Sequence, residues 1–107
     1  MVEEQSSKQK IDHREAKREH RSVFIRDYLT EQYPEYRLGP DWWDTTHPGG
    51  EQCFRLDSEK EVLEVRVVGS VMMDDRYSVE DIETKLQSWD PKNHKRVRVT
   101  EEGVKPL

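Results

Sequence analysis

The chain has 107 residues, 38% of them charged and 32% hydrophobic, with a net charge of −5 at neutral pH. That length and composition allow one domain with a small core and little more. A single cysteine, Cys53, excludes an internal disulfide and a cysteine-cluster zinc site. No apolar stretch is long enough for a signal peptide or a membrane span, so an intracellular, cytoplasmic protein is expected.

Residues 1–11 show no hydrophobic period and are expected to be a flexible segment, followed by a single domain over 12–100 and a tail over 101–107. Asp12 with Glu15 fits the start of a helix over 12–32. Its first half is polar all round. Val23, Phe24, Tyr28 and Leu29 give the second half an apolar side, and Pro34 ends it. A short extended piece at Tyr36–Leu38 precedes a loop rich in Pro, Gly and Asp, which holds Asp41, Trp42, Trp43 and Asp44.

A strand over Gln52–Leu56 then turns through Asp57–Lys60 into the stretch Glu61–Met73, around which the chain is organised. Leu63, Val65, Val67, Val71 and Met73 alternate with polar residues there, the period of a strand with one buried face. Setting Asp57 against Lys60 places Phe54 opposite Leu63, Cys53 opposite Glu64 and Glu51 opposite Arg66, with both apolar sets on one side. Ser78 with Asp81 caps a second helix carrying Val79, Ile82, Leu86 and Trp89, which Pro91 stops. His94–Val99 alternates again, with Val97 and Val99 inward. The expected fold is α+β: a small three- to four-stranded, mainly antiparallel sheet with two helices on one face, in the order α-β-β-β-α-β.

Charge is segregated along the chain. Residues 5–26 carry seven Lys/Arg against three acids, residues 27–90 six against sixteen, and residues 91–107 five against two. An acidic middle repels nucleic acid, whereas the basic ends can hold phosphate. Asp41, Asp44 and His47 are metal-ligating types but lack the glycine-bounded acid ladder of a calcium loop, so no metal is expected there. His13 and His20 lie seven apart on a helix, His94 lies in a basic run, and Cys53 has no general base near it in sequence; all read as structural or surface residues.

Two adjacent tryptophans in extended backbone cannot both face inward. One of the pair Trp42 and Trp43 is therefore expected at the surface, flanked by Asp41 and Asp44, as a contact for a protein partner that a basic surface would suit. The leading expectation is thus a non-enzymatic, acidic interaction or regulatory module without cofactor.

A second expectation comes from a resemblance. The order of elements, Pro40-Asp41, and Glu64-Val65-Arg66 on the second hairpin strand resemble the core and motif of the PD-(D/E)XK nuclease superfamily over residues 20–100. The resemblance implies a magnesium-dependent nuclease using Asp41 or Glu51 with Glu64, and with Arg66 where the family has lysine. A guanidinium stays protonated and is a poor substitute for that lysine. Double-stranded-RNA-binding domains also run helix, three strands, helix, but the second helix here starts with Glu80, Asp81 and Glu83, the wrong sign for RNA. A third expectation is nucleic-acid binding through the basic termini.

Overall fold

The computed structural model describes the backbone from Val2 to Leu107 and the side chains from His13 onward. The first helix begins at Val2, ahead of the expected start at Asp12, and the side chains of residues 1–12 fall outside those described. The elements are α1 (Val2–Gln32), β1 (Arg37–Leu38), β2 (Trp42–Asp44), β3 (Glu51–Asp57), β4 (Val62–Val68), α2 (Gly69–Met73), α3 (Val79–Gln87), β5 (Arg96–Thr100) and β6 (Gly103–Pro106). No helix among the described residues is long and apolar enough to cross a membrane.

The sheet is mixed and runs β1-β3-β4-β5-β6, with β2 also paired to β3 beside β1. It is larger than the three or four strands expected. Trp42–Asp44, read as loop, pairs with Glu51–Cys53, and Gly103–Val104, read as tail, pairs with Val99–Thr100. β4 and β5 run parallel, because α2 and α3 carry the chain back across one face between them.

The hairpin register differs from the expected one by two residues. Leu56 faces Leu63, Phe54 faces Val65 and Cys53 faces Arg66. The Ser58 hydroxyl accepts from the backbone N–H groups of Lys60 and Glu61, which lengthens the turn. A shift of two keeps every side chain on its face, so the apolar set still meets the helices.

Phe54, Leu56, Leu63, Val65, Val67, Val97 and Val99 form that buried face, with Ile25 and Leu29 of α1 and Ile82 and Leu86 of α3 packed against it. Ile25, not Val23, carries the docked side of α1; Val23 is 44% exposed. The capping box at Ser78 and Asp81 starts α3 as expected. Strand β4, however, ends at Val68. Val71 and Met72 are both fully buried, which successive strand residues cannot achieve against a one-sided core, and Gly69–Met73 coils into α2 instead.

Arg21 ties the first helix to this turn. It is 5% exposed and donates to the backbone carbonyls of Val71 (2.8 Å), Asp74 (3.0 Å) and Tyr77. These carbonyls lie at and beyond the end of α2, where helix geometry supplies few partners, and Asp74 O also accepts from Tyr77 N–H at 3.3 Å. Arg21→Ala is expected to lower stability by about 3 kcal/mol, read as a reduced urea midpoint, because buried carbonyls lose a charged donor. Arg21→Lys is expected to recover only part of it, since an ammonium cannot span three acceptors with the same fork.

Candidate functional site

The sheet face away from the helices is polar and built from alternate residues of four strands. Glu51 and Cys53 on β3, Glu64 and Arg66 on β4, and Arg96 and Arg98 on β5 share it with Asp44 from β2. Arg66 stands at its centre. Its Nη1 lies 2.9 Å from Asp44 Oδ2 and 3.2 Å from Glu51 Oε1, and its Nε lies 2.7 Å from Glu64 Oε2. Arg98 Nε holds the other oxygen of Glu51 at 2.7 Å, and Arg96 Nη2 reaches Glu64 at 3.1 Å. Among the described residues, no buried side-chain nitrogen or oxygen lacks a partner.

The electrostatics follow from these contacts. Burial alone would raise Glu51, which is 1% exposed, but the bonds from Arg98 and Arg66 outweigh it and hold the carboxyl below its ordinary range. Glu64 is lowered for the same balance of burial against Arg66 and Arg96. Asp44 falls to about 2, first through the side-chain and backbone hydrogen bonds of Thr46 and then through Arg66. Burial pushes the Cys53 thiol up to about 11, so it is no nucleophile at neutral pH.

The residues singled out from the sequence divide between two places. Asp41 lies on the helix side, where its carboxylate accepts from Gln52 Nε2 at 2.6 Å and lies 3.5 Å from Arg26 Nε. Trp43 also points to the helix side, with the Arg18 guanidinium 4.5 Å from its ring centroid. Trp42 points the other way and is 38% exposed. Asp44, Glu51, Glu64 and Arg66 share the polar face without Asp41.

Asp44, Glu51 and Cys53 bring possible ligand atoms within 4.8 Å of one another, a grouping that the sequence concealed because β2 was read as loop. Arg66 already supplies a fixed positive charge between two of them. Of the acids that the nuclease resemblance implies, Glu51 and Glu64 share this face with Arg66 between them, whereas Asp41 stands apart.

No family model, curated protein or solved structure matches this sequence.

The lowered carboxylates set a direction for acid stability. Groups depressed in the folded state leave the unfolded chain to bind protons first, so the stability they contribute is present above the ordinary value of 3.8 and is lost as pH falls toward about 2. The urea midpoint is expected to drop steeply between about pH 4 and about pH 2. Asp44→Asn is expected to flatten that decline and lower the midpoint near neutrality.

Proposed function

We propose that this chain is a non-catalytic protein-binding module that receives a basic partner along the margin where β2 meets α1. The observation that carries the reading is the divided tryptophan pair: Trp43 is packed beneath Arg18, and Trp42 remains exposed on the same short strand. An indole left in water on so small a domain is costly, and such rings anchor interfaces. Beside it runs a cleft of about 400 Å³ between α1 and β2, lined in part by Glu15, Glu19, Trp42 and Trp43. Arg18 and Arg26 line the cleft as well, but Arg18 lies over the Trp43 ring and Arg26 beside Asp41, which leaves the two exposed glutamates to meet a Lys/Arg-rich segment. Asp41 and Asp44 are engaged within the chain and shape this margin instead of meeting the partner's charge. The one free cysteine fits a reducing, cytoplasmic setting.

The nuclease-like reading has less support, because Arg66 stands among the carboxylates that magnesium would require. Titration with a short Lys/Arg-rich peptide is expected to give a saturable change in tryptophan emission. Trp42→Ala is expected to weaken it about tenfold while leaving the urea midpoint nearly unchanged. Equal affinity in the variant would refute the proposal. Calorimetry with magnesium and manganese addresses the rival: heat of binding abolished by Glu64→Gln would favour the metal-dependent reading.

A further inference from the structure

A second cleft, of about 480 Å³, opens at the carboxyl ends of the parallel strands β4 and β5, and its lining includes His47, Gly49, Ser70, Arg98, Glu101 and Lys105. Carboxyl ends of neighbouring parallel strands are where open sheets receive ligands. One wall is held rigidly. Gly50 N–H donates to His47 O and Gly69 N–H donates to Gly50 O, both at 2.8 Å. A Cβ at Gly69 would lie 2.1 Å from Gly49 O, so the Pro48–Gly50 loop packs as closely as backbone permits.

The charge in this cleft is net positive. Arg98, Lys105 and His47 converge on it, and the one lining acid, Glu101, already accepts from Ser70 Oγ. Arg98 is the fixed donor. Its Nε and Nη2 bind Glu51, which is almost fully buried, and this spends two of its five N–H groups while fixing the plane of the fork. The remaining donors belong to a side chain that lines the cleft and is 31% exposed. Lys105 pairs only at the surface with Glu102, where both side chains are more than half exposed, and it can turn toward a ligand at little cost.

We propose that this cleft binds a phosphoryl group, free or carried on a nucleotide, with Arg98 as the anchored fork and Lys105 and His47 closing on the remaining oxygens. A tetrahedral anion with several acceptors suits a preoriented guanidinium, a turnable ammonium and an imidazole better than a lone carboxylate does. The site lies on strands β5 and β6 and the loop before β3, away from Trp42, so it stands independently of the basic-partner margin.

The test is calorimetric titration of the whole chain with inorganic phosphate, a nucleoside monophosphate and a short single-stranded oligothymidylate, each at low and at raised salt. Saturable binding of at least one probe is expected. Lys105→Ala and His47→Ala, both surface changes, are each expected to weaken it about tenfold with the urea midpoint unchanged. Trp42→Ala is expected to leave it intact, which separates this site from the peptide margin. Tighter binding of the oligonucleotide, falling with salt, would identify a nucleic-acid strand as the source, whereas equal binding of the mononucleotide would identify a small ligand. No saturation by any probe, or unchanged affinity in the Lys105/His47 double variant, would overturn the assignment.

Discussion

A carboxylate removed from water within a sheet must be neutralised, and Glu51 meets that requirement with two guanidiniums at once. Arg66 on the adjacent strand β4 takes one oxygen, and Arg98 on β5, one strand further, spans both. The pairing thus links β3, β4 and β5 on the side that has no helices, as the apolar cluster links them on the other. A buried ion group of this kind contributes less to net stability than its short distances suggest, because desolvation opposes it. Its effect is on arrangement: wrong registers leave Glu51 without its partners, and that penalty is large. The same contacts decide the chemistry. They occupy the carboxylates and fix the plane of Arg98.

Much of the fold could be read from periodicity. Leu63, Val65 and Val67 declare one buried face, Ser78 and Asp81 mark a helix start, and Val97 and Val99 declare a further strand. The two-residue error in the hairpin did no harm to the core because side-chain direction repeats every two residues. What escaped had no local signal. β2 is three residues long and β6 has one apolar side chain, so neither shows a period, and both exist because β3 and β5 offer open edges to pair with. The early end of β4 depends on Gly69 meeting a loop some twenty positions earlier in the chain, a contact of tertiary origin. The candidate site was half visible: Glu51, Glu64 and Arg66 were recognised as neighbours, while Asp44, Arg96 and Arg98 joined them only through pairings the sequence does not announce.

Net charge turns out to be a poor guide to what each surface presents. On the open sheet face the acids Asp44, Glu51 and Glu64 lie beneath, with side chains no more than 17% exposed, whereas Arg55, Arg96 and Lys105 stand above half exposure. Solvent on that side therefore meets cations, although the chain as a whole is negative. The margin of α1 near Trp42 is mixed, with Glu15 and Glu19 beside Arg18 and Arg26. The basic carboxyl-terminal segment seen in the sequence is folded into the cationic face, where Arg96, Arg98 and Lys105 stand on adjacent strands.

The way the sheet is bounded has its own consequence. At one side the chain is split into two fragments, β1 of two residues and β2 of three, both laid against β3 and interrupted at Gly39 and Pro40. At the other side β6 is four residues long, carries Lys105, and ends in Pro106, which has no N–H to offer. Neither border supplies a continuous row of backbone donors and acceptors on which a foreign strand could template itself. The architecture is self-limiting in this respect: a strand brought from outside would find broken rows of backbone groups at both borders.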